Sequence, residues 1–147
     1  MATLTASAAQ STSPALYNVN GMVARSIRVT NGANGTTVLS AGDVTRAIKV
    51  PQGAIIQDML VAISSTVQSY TVNIGDGDDA DRYFASQSLV LSQVVRLGGG
   101  TGAIQTGIGY TYSVEDTIDI TWTTITSGTA ADAVVTLTVF YTNANGG

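Results

Sequence analysis

Asp76, Asp78, Asp79 and Asp81 form the densest group of potential ligands in the chain, within Gly75-Asp76-Gly77-Asp78-Asp79-Ala80-Asp81-Arg82. Oxygen donors at alternate positions can wrap a hard cation, which makes Asp76, Asp78 and Asp81 a candidate calcium set. Against it, Gly77 separates the first two aspartates, and no glutamate follows at the distance an EF-hand needs. The same residues also read as turn chemistry, with carboxylates capping backbone amides and Asp79 or Asp81 paired with Arg82 or another arginine. Arg82 adjoins the loop, whereas a sixth and a seventh calcium ligand are not written in the chain. The arginine reading is therefore preferred, and no cofactor is expected.

Glu115, Asp116 and Asp119 are the other carboxylates that lie close together. A glycosidase needs two at a fixed separation across a cleft, one with a raised pKa. Here they read as a solvated turn and the outer face of a strand. Tyr110, Tyr112 and Trp122 would suit a sugar-stacking platform, although aromatics on a sandwich strand more often fill a core or an interface. The chain has no histidine and no cysteine. That removes the commonest general base, His-based triads, thiolate metal sites and disulfides. A hydrolase is the least favoured class, and no catalytic residue is assigned.

These groups must be carried by strands. Val50-Pro51-Gln52-Gly53 is a turn, and an alternating run after it places Ile55, Met59, Val61 and Ile63 on one side. A polar break at 64–69 precedes a second alternating run, Tyr70, Val72 and Ile74, which delivers the acidic loop. Period-two alternation marks half-buried strands, and this pair reads as antiparallel neighbours. Val44, Ile48 and Val50 alternate against Thr45, Ala47 and Lys49. Upstream, Val23, Arg25, Ile27 and Val29 share a face, and the Asn-Gly dipeptides of Asn31–Gly35 signal a hairpin turn. Tyr83–Leu97 fits neither period and reads as one helical turn followed by a strand. The glycines of Gly98–Gly102 mark a mobile loop. Ile118, Ile120 and Trp122 share one face, Val135, Leu137, Val139 and Tyr141 another, and these two strands also read as neighbours. Seven or eight strands with Gly- and Asn-rich turns suit an antiparallel β-sandwich or jelly roll. The expected layout is a flexible N-terminal arm over 1–18, one sandwich domain over 19–143 and a flexible tail over 144–147.

The chain has 147 residues, 11% charged and 44% hydrophobic, with a net charge of −4. An average domain is roughly 25% charged. So little charge suggests a chain that works assembled, with much of its surface against other subunits, and a homo-oligomer is expected. The six basic residues are scattered, which argues against nucleic acid. No apolar run approaches the roughly 20 residues of a membrane-spanning helix, so no membrane partner is expected. The first residues lack the basic start and apolar core of a secretory signal.

Four segments, VPQGAIIQDM, YTVNIGDGDDADRYF, GIGYTYSVEDTIDITW and VTLTVFYTN, together resemble small virion proteins of tailed bacteriophages, the head decoration or cement proteins. The resemblance runs from about Ile48 to Tyr141 and leaves out the N-terminal third. It implies a structural, non-catalytic protein bound to the outside of a capsid, with the major capsid protein as partner and a trimer as its form. A phage fibre or carbohydrate-binding sandwich module is the alternative.

Overall fold

The computed structural model describes residues 3–5, 21–31, 39–64, 70–90, 93–97, 99, 107–125 and 133–143. They form β1 (Thr3–Thr5), β2 (Val23–Asn31), β3 (Val44–Val50), β4 (Ala54–Ser64), β5 (Tyr70–Gly75), β6 (Phe84–Leu89), β7 (Val94–Arg96), β8 (Asp116–Ile125) and β9 (Ala133–Asn143). One sheet has the order β1-β3-β8-β5-β6 and the other β2-β9-β4-β7. From β2 to β9 every pairing is antiparallel, as a β-sandwich requires; β1 alone joins in parallel, on β3.

The chain passes from sheet to sheet at almost every connection, and this corrects two of the expected pairings. β4 pairs with β7 and β9, and β5 with β6 and β8, so β4 and β5 face each other across the core. β8 and β9 likewise lie in opposite sheets. Two strands that each carry one apolar face can bury them by pairing edge to edge or by stacking, and alternation alone does not distinguish these arrangements. Among the described residues of Tyr83–Leu97 the expected helical turn does not form: they make β6 and β7, one in each sheet.

β-Bulges explain where the alternation was misread. A bulge puts two residues of one strand opposite one of its partner and shifts the side-chain phase by one. In β4 the register against β9 slips between Ile56 and Asp58. Ala54 and Ile56 point inward before it and Met59, Val61 and Ile63 after it, so Ile55 lies on the outer side. In β3 the slip between Arg46 and Ile48 puts Thr45 inward before it and Ile48 and Val50 after it. Ser86 in β6 adopts φ 49°, with its amide donating to Asn73 Oδ1 at 2.7 Å, and the inward set changes from Phe84 to Gln87 and Leu89.

The core is built around Trp122, Tyr70, Tyr141 and the aliphatic faces of β4, β8 and β9. Tyr70 meets Trp122 edge to face at 5.4 Å between centroids. The indole Nε1 donates to the buried Thr45 Oγ1 at 2.9 Å, so the inward-turned threonine supplies the acceptor that a buried tryptophan needs. Of the expected arm, Thr3–Thr5 has backbone register with Val44–Arg46. The rest of the arm, most of the Asn31–Gly35 turn, most of the Gly98–Gly102 loop and the tail over 144–147 lie outside the described residues.

Trp122 is 1% exposed and Leu137 fully buried. Truncating either to alanine should cost about 2–5 kcal/mol, from lost transfer energy and the cavity left behind. Chemical denaturation of Trp122→Ala and Leu137→Ala checks this; an unchanged midpoint for both would mean that the inward faces are wrongly assigned.

Candidate functional site

The acidic loop closes one end of the sandwich, and its anchor is Asp76, whose side chain is 1% exposed. Arg82 Nε donates to Asp76 Oδ2 at 2.6 Å and Nη2 to Oδ1 at 3.3 Å. Oδ1 also accepts the backbone amides of Asp78 at 3.2 Å and Asp79 at 3.0 Å, which fixes the turn. Tyr112 donates its hydroxyl to Oδ2 at 3.1 Å. With that proton committed, Tyr83 donates its own hydroxyl to Tyr112, at 2.8 Å. The Arg82 guanidinium lies 3.7 Å from the ring centroid of Tyr110, and Tyr110 meets Tyr112 edge to face at 5.0 Å.

Two glycines make this closeness possible. A Cβ on Gly75 would fall 2.0 Å from the Asp79 carbonyl oxygen, and one on Gly107 would fall 2.5 Å from Tyr83 Cδ1. A third segment is stitched in through backbone bonds. Gly53 and Ile56 donate to the carbonyls of Tyr112 and Tyr110 at 2.7 and 3.0 Å, and Tyr112 and Gly109 donate back to Ala54 and Ile56 at 2.9 and 2.7 Å. Gly53 has φ 84°, which suits the third place of the Pro51–Ala54 turn. The Val-Pro-x-Gly turn, the Asp-rich loop with its Arg82, and Gly-Tyr-x-Tyr thus converge on one buried carboxylate.

The environment of each group follows from this packing. Burial works against the charge of Arg82, but the hydrogen bond and charge of Asp76 raise its pKa above that of an ordinary arginine. Burial pushes the phenols of Tyr83 and Tyr112 well up, so both keep their protons. Asp79 and Asp81 share a hydrogen bond that raises the Asp81 carboxyl.

Of the three candidate calcium ligands, Asp76 therefore has both oxygens on protein donors, Asp78 is exposed, and Asp81 is tied to Asp79. Among the described residues no three acidic groups converge to hold a metal ion. Arg82 takes Asp76 as its main partner, with Asp79 at 4.0 Å, where the sequence pointed to Asp79 or Asp81. The aromatic platform does not form: Trp122 is in the core, and Tyr112 is buried beneath Tyr110 and Arg82. Sequence reasoning assigned no role to Tyr83 or Gly107; the Gly-Tyr-x-Tyr signal lay in plain view, but its target in the acidic loop is set by the topology.

Beside the loop, Arg46, Lys49, Gly77, Glu115, Asp116, Thr117 and Asp119 line an open cavity of about 250 Å³. Lys49 pairs with Glu115 at 2.7 Å, and Asp116 accepts the amides of Gly77 at 3.2 Å and Thr117 at 2.7 Å. Asp119 is half-buried on β8, and its Oδ1 has no hydrogen-bond partner. Burial raises its carboxyl pKa, Thr117 and Arg46 oppose the rise, and Asp116 and Asp76 add to it.

Removing Arg82 would leave the buried Asp76 unpaired, so Arg82→Ala should destabilise the fold by about 3–5 kcal/mol. Arg96, which pairs with Asp58 at 2.6 Å but is 71% exposed, makes the contrast: Arg96→Ala should cost less than about 1 kcal/mol. Thermal unfolding checks the difference, and EDTA should leave the midpoint where it is. A midpoint lowered by EDTA and restored by calcium would favour the metal set instead.

Asp119 gives a signed pH effect. Its folded pKa lies above the unfolded value, so the native state holds the extra proton between the two, and stability falls as pH rises through that window. Asp119→Asn should therefore raise the midpoint at pH 7 relative to the parent, with the gain vanishing below the unfolded carboxylate range near pH ~3.9. Urea titrations at both pH values test this; a gain of equal size at both would mean a packing effect.

No protein-family model matches the chain, and no curated protein matches it in sequence. Solved structures do match in fold. A chain from the capsid of Ralstonia phage GP4 has a TM-score of 0.71 at 15% identity, over 97% of this chain and 98% of that one. A chain from the capsid asymmetric unit of cyanophage Pam1 has a TM-score of 0.59 at 19% identity, over 88% and 89%. The two-sheet architecture described above is thus one that also occurs in phage capsids.

Proposed function

We propose that this chain is a structural virion protein of a bacteriophage that binds the outer surface of the capsid and stabilises it, as a decoration or cement protein does. The observation that carries the proposal is the fold likeness to a chain of the Ralstonia phage GP4 capsid, which spans nearly the whole of both chains. Three features of the molecule support it. The most elaborate polar cluster joins chain segments to one another, and its central carboxylate is fully engaged by protein donors. Without histidine or cysteine, the chain lacks the commonest general base and the thiol nucleophile. Its sparse charge suits a surface that spends its time against other subunits. In this reading the partner is the major capsid protein, the chain acts as a homo-oligomer with a trimer preferred, and the clamped loop end is a rigid part of the surface presented to the shell.

Binding to empty shells assembled from the major capsid protein of the phage that carries this gene provides the test. The protein should co-sediment with shells to a saturating, fixed ratio, raise their thermal disruption temperature, and be reached by antibody on intact particles. Failure to bind shells, combined with a specific hit on a glycan array, would favour the fibre or carbohydrate-module alternative.

A further inference from the structure

We infer that the outer edge of β3 is an acceptor for Thr3–Thr5 of a second copy of this chain, so that copies link by exchanging β1. β3 has β8 on one side and only β1 on the other. Without β1, a row of backbone amides and carbonyls along β3 is left open, and such an edge is a template for a strand from another chain. The structure shows what the edge takes: a short segment in parallel register, Thr3 with Val44, Leu4 with Thr45 and Thr5 with Arg46.

The connection from residue 6 to residue 22 makes exchange geometrically open. Fully extended it reaches at most ~60 Å. A folded chain of this length has a radius of gyration of about 15 Å, so the arm can pass beyond its own domain to a neighbour. Exchange replaces one β1 by an identical one, so every backbone bond on β3 is re-formed and only concentration decides between the chain's own strand and its neighbour's. A covalent connection of this length supplies the chain's own strand at an effective concentration of roughly millimolar, and dense packing of copies is what tips the balance outward. The inference does not rest on the capsid reading, because the purified chain tests it.

The absence of cysteine makes disulfide trapping clean. Thr5→Cys and Arg46→Cys are introduced singly into two preparations, which are mixed and oxidised under exchange conditions. Thr3→Cys with Val44→Cys provides a second pair at matched register, should either Arg46→Cys or Thr5→Cys disturb the fold. Thr3→Cys with Arg96→Cys provides a mismatched control, since Arg96 is exposed on the other sheet. For matched pairs the interchain bridge should exceed the control at least about tenfold, and should rise in proportion as protein concentration goes from ~5 μM to ~500 μM. Matched pairs that bridge no more than the control, with both mixtures folded by their thermal midpoints, would overturn the inference. So would a bridge that forms only within the chain when both cysteines are placed on one molecule at the highest concentration.

Discussion

The arrangement at the loop end of this molecule depends on one buried carboxylate. Asp76 has been taken out of water, and five hydrogen bonds, from the amides of Asp78 and Asp79, two nitrogens of Arg82 and the hydroxyl of Tyr112, replace the solvent it lost. A buried pair of this kind is weak evidence for net stability, because desolvation offsets much of its attraction. What it supplies is geometry. Asp76 can be satisfied in full only when the loop turns at Asp78 and Asp79, when Arg82 folds back over Tyr110, and when Tyr112 comes within reach. The last condition in turn requires Gly107 to lie against Tyr83 and the Tyr110–Tyr112 backbone to pair with Gly53–Ile56. The constraint therefore locks three segments, distant in sequence, into one arrangement.

This bears on what the end of the sandwich can do. A loop whose carboxylates were free would bind cations or move, whereas one clamped from within is a rigid surface with a fixed shape. The tyrosine hydroxyls are held protonated by burial, so they act as donors in the framework and not as reactive groups. Rigid, internally satisfied ends are what a protein needs if it meets its neighbours in one orientation. The proposed place on a capsid draws on that property and on the scarcity of charge in the chain.

Much of the fold was legible in the chain. β8 as far as Trp122 and β9 alternate cleanly, and Ile118, Ile120, Trp122, Leu137 and Val139 all lie where period two puts them. Where the reading failed, the causes were local and physical. The bulges near Gln57, Ala47 and Ser86 each insert one residue and reverse the phase, which misplaced Ile55 and Val44 and made β6 look non-periodic. Sheet membership was not legible, because β4 with β5 and β8 with β9 would show the same alternation stacked or paired. At the site, the Asp–Arg pairing was readable from adjacency, and Asp79 is indeed within reach of Arg82 at 4.0 Å, but the closer, buried partner Asp76 was not anticipated. Asp76 is the first residue after β5, so it is buried by the strand's own course, while its neighbours turn outward.

The claim that Asp76 and Arg82 hold distant segments together is tested most directly by amide hydrogen exchange in the Arg82→Ala protein. The amides of Gly53, Ile56, Gly109 and Tyr112 make the backbone bonds that join the segments, and none of these residues touches Arg82 through its amide. If the account holds, these four should lose protection by a larger factor than amides in the middle of β4 and β9, because the loop end opens before the sandwich does. An equal loss at every amide would contradict it, since that pattern reports global unfolding alone and leaves no role for the pair as a local clamp.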